Sequence, residues 1–176
     1  MALPLKSQNG LLFGDWQEKK KYTLSHDVLY ADSTVIIPAL SLSLSRYFAA
    51  SIGLDVLSHA LESVWNKENN YITRLNAVEA IRICVEHLPK LLNQLVSIEY
   101  RTEMAKASLL AGMAFSQTKT AAAHSLSYPL TLFHDIPHGY ACSLTLGSMF
   151  EYNYSVHKTG LSQVLKIFEK HYGSEI

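Results

Sequence analysis

The alternation of apolar and polar residues changes character near residue 45. Before that point the pattern is short and turn-rich. The stretch LLFGDWQEKKKYTL reads as a hairpin with Gly14-Asp15 near its turn, and VIIPAL reads as a short strand stopped by Pro38. A lone strand or hairpin is not stable in water, so these pieces call for a sheet that the chain does not obviously supply. Without one, the segment is expected either to lack order or to pair with the same segment of a second chain.

From about Ser45 onward the period is helical. Leu54, Leu57, Leu61 and Val64 form one stripe of a 3.6-residue repeat, and Ile72, Leu75, Val78, Ile81 and Val85 form another, with a bend expected near Pro89. A third helix covers EYRTEMAKASLLAGMAFSQT, where Gly112 is a candidate for a close helix crossing. A fourth covers TAAAHSLSYPLTLF, disturbed at Pro129. A fifth runs through IPHGYACSLTLGSMFEYNYSVH, with Pro137 in its first turn and Asp135 as N-cap. A sixth covers LSQVLKIFEKHYG, where Gly173 suits a C-terminal stop. The expected architecture is mainly α, five to seven helices preceded by a short β segment.

Within this apolar helical pattern four residues stand out. Asp55 and His59 are four apart, so on a helix they share a face. His124 and His138 are fourteen residues apart, about 21 Å on one straight helix and too far to share an ion. Pro129 and Pro137 lie between them, and FHDIPHG reads as a turn, so the chain can leave one helix and re-enter another with His138 beside His124. A His in the first turn of a helix is held toward its neutral form by the helix dipole, and neutral imidazole is the metal-binding form. One carboxylate and three imidazoles suit Fe²⁺, Zn²⁺, Ni²⁺ or Mn²⁺ rather than the oxygen-seeking Ca²⁺ or Mg²⁺. Each histidine taken singly is an ordinary core or surface residue; only the set is specific. His134, in the turn between the two candidate ligands, is a candidate for contact with a ligand or substrate.

Composition adjusts this picture only slightly. Charged residues make up 17%, below the usual level of about 25%, as expected if part of the surface is covered by another domain or subunit. Fifteen basic and fifteen acidic residues balance and no basic face stands out, which argues against a nucleic-acid partner. Cys84 and Cys142 have no metal-ribbon or redox spacing and read as reduced core thiols of a cytoplasmic protein. The N-terminus MALPLKSQNG lacks the apolar core of a secretory signal, and no run of about 18 apolar residues marks a membrane span. The eight glycines lie singly, so no dinucleotide or phosphate cradle is recognisable.

The segments GLDVLSHALES, LLAGMAFSQT and HSLSYPLTLFHDIPHGYACSLTLGSMFEYN resemble the iron-containing (group III) alcohol dehydrogenases. The similarity runs roughly from Lys19 to the end, and the family's metal motif falls on Asp55, His59, His124 and His138. The resemblance implies a dehydroquinate-synthase-like helical domain holding Fe²⁺ (or Zn²⁺). It implies a cleft shared with a nucleotide-binding α/β domain, and hydride exchange between NAD or NADP and a small alcohol or aldehyde. The KKKY stretch matches a segment whose lysine, here Lys21, reaches the cofactor. Many members carry a second histidine near substrate where this chain has Tyr128, a hydrogen-bond donor but a poorer proton carrier at neutral pH. TAAAHSLSYPLT is similar to the branch containing phosphonoacetaldehyde reductases, which implies a small aldehyde bearing an anion.

On this resemblance residues 1–45 are the tail of a nucleotide-binding domain that is otherwise missing, and residues 46–176 are a helical metal-binding domain, incomplete at its C-terminus. The expected protein is a homo-oligomeric oxidoreductase, or a piece of one. Two alternatives share the fold: a helical remnant that oligomerises without binding dinucleotide or doing catalysis, and a zinc-dependent relative of the glycerol dehydrogenases.

Overall fold

The computed structural model describes residues 10–15 and 17–173. Its first element is an antiparallel hairpin of β1 (Gly10–Asp15) and β2 (Lys20–Ser25), in register from Gly10↔Ser25 to Asp15↔Lys20. Asp15 closes the turn by accepting hydrogen bonds at Oδ1 from the backbone N–H groups of Gln17 and Glu18, both at 2.9 Å. The hairpin forms within the chain and rests on a helix. Lys19 Nζ donates to the carbonyl of Leu132 at 2.8 Å, and Lys21 Nζ lies 4.4 Å above the ring of Tyr128. The expected strand at VIIPAL is not formed. Residues 35–37 are irregular and Pro38–Ser41 is a 3-10 turn, because Pro38 presets the first turn of a helix and no neighbouring strand offers a ladder.

Seven helices follow among the described residues: α1 (Arg46–Trp65), α2 (Tyr71–Asn93), α3 (Ile98–Thr118), α4 (Ala122–His134), α5 (His138–Ser143), α6 (Leu146–Val156) and α7 (Lys158–Tyr172). The first three begin where polar side chains replace missing backbone partners. Ser45 Oγ accepts from Phe48 N–H, Ser97 Oγ accepts from Tyr100 N–H, and Asn70 forms a capping box with Thr73. Pro89 and Pro129 are accommodated inside α2 and α4. The fifth expected helix is two, α5 and α6, broken at Leu144–Thr145. Asp135 does not cap α5. It closes α4 in the left-handed conformation (φ 53°), with Ile136 N–H returning to the Leu130 carbonyl at 3.3 Å, and Pro137 occupies the N-cap of α5.

Helix α1 is the central rod and packs against α2, α3, α4, α5 and α7. It is buried on several sides, so its packing surface is wider than one Leu stripe: the small residues Ala49, Ser51, Gly53, Ser58, Ala60 and Ser63 are buried beside Val56, Leu61 and Val64. Small residues permit close approach. A Cβ on Gly53 would sit 2.4 Å from a Leu88 methyl of α2. A Cβ on Gly139 would sit 1.7 Å from the Ser51 carbonyl oxygen, so the start of α5 lies directly on the α1 backbone. The apolar core joins Val56, Leu61 and Val64 of α1 to Ala77, Ile81, Cys84 and Leu88 of α2, Met104, Ala107 and Ala111 of α3, and Leu161 and Val164 of α7. Burial pushes the Cys84 thiol up to about 12, so it remains an inert core group. Among the described residues no helix is long and apolar enough to cross a membrane.

Candidate metal centre

Three helices deliver chemistry to one point, each by its own 3.6-residue spacing. Asp55, His59 and Glu62 share a face of α1; His124, Ser127 and Tyr128 share a face of α4; His138 and Cys142 share a face of α5. Close contact between α5 and α1 at Gly139 fixes the height of His138 against Asp55. The αL corner at Asp135 turns the chain back, so that the His124 and His138 rings, far apart on a straight helix, come within 5.4 Å between centroids.

The centre of the arrangement is Oδ1 of Asp55. It lies 3.5 Å from His124 Nε2, 3.7 Å from His138 Nε2 and 3.7 Å from His59 Nδ1. Both Asp55 Oδ1 and His124 Nε2 are sealed from water without a hydrogen-bond partner. Buried polar atoms left unmatched carry a penalty of a few kcal/mol. A divalent cation between them would satisfy both, so the donor set fits the metal that the sequence motif implies. Among the described residues, Asp55, His124, His138 and Cys142 form a group of candidate donors whose ligand atoms all lie within 4.8 Å of one another. His59 stands at its edge, stacked on Phe115 at 4.1 Å and tilted against His124 at 4.2 Å.

Electrostatics reinforce the cluster. Burial works to raise the pKa of Asp55, but the imidazoles of His59, His138 and His124 outweigh it and hold the carboxyl well below the usual carboxylate range. Burial pushes His59 down to about 4, against the pull of Asp55, so it is a neutral imidazole at neutral pH. His124 is moved the other way: burial opposes its charge, but Asp55, Cys142 and Glu62 raise its pKa. Cys142 is raised by burial and lowered more strongly by His124 and His138, to about 7.

Glu62 was not legible as a site residue. It is 1% exposed, and its carboxylate accepts three donors: Ala121 N–H at 2.8 Å, Ala123 N–H at 2.6 Å and His124 Nδ1 at 2.6 Å. It therefore caps α4, whose own N-cap residue Ala121 has no capping side chain, and fixes the His124 tautomer with Nδ1 protonated and Nε2 turned to Asp55. Its spacing of seven from Asp55 was the available signal. Ser127 was also missed. Its hydroxyl donates to the His124 carbonyl at 2.7 Å and lies 3.3 Å from His138 Nδ1, leaving His138 Nε2 toward Asp55.

The other expected site residues are placed as follows. Tyr128 is half-buried one helical turn from His124, and burial raises its pKa, so it is a neutral phenol at neutral pH. Lys21 stands over its ring; burial lowers the lysine pKa while Cys142 and Asp55 work against that shift. His134 is exposed at the C-terminal end of α4, ten residues and about 15 Å along the axis from His124, and is not among the clustered donors.

The family profile described as Fe-containing alcohol dehydrogenase, C-terminal, matches residues 49–175. The chain is 31% identical over 159 residues to 1-propanol dehydrogenase of Citrobacter freundii, covering 87% of this chain and 43% of that protein. It is 28% identical over 142 residues to phosphonoacetaldehyde reductase of Streptomyces viridochromogenes, covering 81% and 36%. The crystal structure of sulfoacetaldehyde reductase from Bifidobacterium kashiwanohense in complex with NAD⁺ superposes with a TM-score of 0.87 at 31% identity, over 92% of this chain and 43% of that one. The chain thus spans less than half the length of these relatives. Profile, identity and superposition agree: the chain belongs to the iron-containing alcohol dehydrogenase family and corresponds to its C-terminal helical domain.

Proposed function

We propose that this chain is the metal-holding part of an NAD(P)-dependent alcohol dehydrogenase or aldehyde reductase. The observation that carries the proposal is the convergence of three imidazole nitrogens, from three helices, within 3.5–3.7 Å of one buried carboxylate oxygen. Asp55, His59, His124 and His138 would hold a divalent ion, iron or zinc. When bound, such an ion supplies Lewis-acid polarisation of an alcohol or aldehyde oxygen. The remaining work falls to the chain itself. Glu62 and Ser127 orient the imidazoles of His124 and His138, so little rearrangement accompanies ion binding. Tyr128 keeps its proton and can donate a hydrogen bond beside the site. Lys21, stacked on Tyr128, offers a positive charge at the hairpin side of the cluster, where NAD or NADP would approach.

In this reading residues 1–45 belong with a nucleotide-binding domain and residues 46–176 form the helical metal-binding domain. The partners are that nucleotide-binding domain, a second copy of the chain in a homo-oligomer, and a small alcohol or aldehyde. The names of two relatives, phosphonoacetaldehyde reductase and sulfoacetaldehyde reductase, support an aldehyde that carries an anion, and Lys21 is a cation suited to it.

Metal analysis of the purified 176-residue chain tests the proposal. We expect one iron or zinc per chain, lost in Asp55→Ala and in His138→Ala. Absence of metal from the wild type, or unchanged retention in both variants, overturns it.

A further inference from the structure

We propose that the cavity beside Arg101 binds an unbranched aliphatic carboxylate, with its head group paired to the guanidinium and its chain against the apolar walls. The cavity shares no lining residue with the donor cluster around Asp55, and the metal chemistry proposed above makes no use of it.

Arg101 is a cation without a counter-ion. It lies near the start of α3 and is 3% exposed. Among the described residues the arginine that forms ion pairs is Arg82, with Glu79 and Glu86; Arg101 forms none. Burial lowers its pKa, and no acidic group opposes that shift. A guanidinium taken out of water is costly unless an anion matches it. Two of the five N–H groups of this guanidinium have protein acceptors: Nε donates to the Leu95 carbonyl at 2.9 Å and Nη2 to the Leu44 carbonyl at 3.1 Å. The Nη1 hydrogens have no acceptor among the described residues. The two carbonyl bonds hold the group in place before a ligand arrives, which limits the ordering cost of binding.

The cavity that Arg101 borders measures about 440 Å³, the size of a site for a small organic molecule. Val56 of α1, Leu91 of α2 and Met104 of α3 line it with buried apolar surface. Residues 35–44 supply another wall, on which Val35, Ile37 and Leu40 stay exposed to water. This combination selects the ligand. A carboxylate accepts two hydrogen bonds at once from the planar guanidinium fork. An aliphatic chain removes the apolar walls from water. Inorganic phosphate would meet the charge and leave those walls wet. An Asp or Glu side chain of a partner protein would meet it too, but its short stem leaves most of the cavity empty.

Titration calorimetry on the full chain tests the assignment, with hexanoate, octanoate, decanoate and the neutral 1-octanol as probes. The chain is freed of metal, so that the carboxylates have no ion to bind. We expect one octanoate site per chain, affinity rising about fourfold with each added CH₂, and 1-octanol weaker by about tenfold or more. Arg101→Gln should abolish the preference for octanoate over 1-octanol. Ala105→Trp places an indole in the cavity from its α3 wall and leaves Arg101 in place, so it should abolish binding in a chain that circular dichroism shows to be folded. Absence of saturable octanoate binding by the wild type overturns the proposal. So does 1-octanol bound as tightly as octanoate, or octanoate binding that survives Ala105→Trp. Sedimentation of the same samples exposes a rival occupant: a wild-type dimer that takes up no octanoate and dissociates in Ala105→Trp assigns the cavity to a second copy of the chain and overturns the proposal. The wild-type comparison of octanoate with 1-octanol decides the matter if neither variant folds.

Discussion

Glu62 Oε2 and His124 Nδ1 lie 2.6 Å apart in the interior, and this contact determines which nitrogen of His124 remains free for a metal. A carboxylate has only acceptors to offer, so the imidazole must donate from Nδ1. The two other bonds to Glu62, from Ala121 and Ala123, place the start of α4 at the same time. One side chain on α1 thus sets both the position and the protonation of a residue 62 positions away.

Glu62→Gln should therefore weaken metal binding by about 10–100-fold, the usual effect of removing a carboxylate behind a ligating histidine. An amide has one acceptor oxygen, so whichever way Gln turns, its NH₂ faces a backbone N–H or forces His124 to carry its proton on Nε2. Metal competition titrations measure the loss, and nitrogen-15 spectra of the zinc-loaded protein read which ring nitrogen of His124 carries the proton. Wild type should show Nδ1–H. An unchanged tautomer together with unchanged affinity in Glu62→Gln would contradict the assignment.

Acid should unfold the metal-free protein partly through this group. Burial works to raise the pKa of Glu62, but the bonds from His124, Ala121 and Ala123 outweigh it and hold it below its ordinary 4.5. A carboxyl whose pKa is lowered on folding contributes stability that is complete above 4.5 and drains away as pH falls through the lower folded value. His124 adds no slope there, because at such pH it is protonated in both folded and unfolded chains. Urea midpoints measured between about pH 5 and pH 3 should fall more steeply for the wild type than for Glu62→Gln. Parallel profiles would show that Glu62 is not the titrating group.

Gly139→Ala should be among the more damaging single changes. The added Cβ would lie 1.7 Å from the Ser51 carbonyl oxygen, and backbone cannot swing aside as a side chain can. The cost should reach or exceed the ~1–3 kcal/mol of an overpacked core, seen as a lowered thermal midpoint. Metal affinity should fall with it, since α5 must lift away and take His138 along. A variant of wild-type stability and wild-type affinity would refute the close approach.

His134→Ala, in contrast, should leave both metal content and thermal midpoint nearly unchanged, within about 0.5 kcal/mol of wild type. His134 is exposed at the end of α4 and remote from the donors along the helix axis. Loss of metal on this substitution would mean that α4 is placed differently.

The helical domain was legible because most helices announce themselves by their period, while the caps at Ser45, Asn70 and Ser97 emerged only with the structure. The central rod was read less well. Its stripe of Leu54, Leu57, Leu61 and Val64 is apolar, yet α1 also buries Gly53, Ser58 and Ala60, small residues that carry almost no hydropathic signal. On α2, Ile72 and Leu75 follow the stripe but are exposed, because the packed face begins at Thr73 and Ala77. Helices α5 and α6 merged in the sequence because neither Pro nor Gly marks the break at Leu144–Thr145. In the site, Asp55 and His59 were visible as a pair on one helix, and the prolines between His124 and His138 betrayed the turn. Glu62 and Cys142 were not visible. An acid on a helix and a buried thiol are commonplace until a second helix is known to dock on them, and that docking is tertiary information.

The left-handed corner at Asp135 has a consequence for how the gene can change. It joins two rods whose side chains must keep phase with each other, so the interval from His124 to His138 behaves as a ruler. Adding or deleting one residue there would rotate the second rod by about 100° relative to the first. Substitutions along the interval can accumulate; a change in its length would turn the last imidazole away from its companions in a single step.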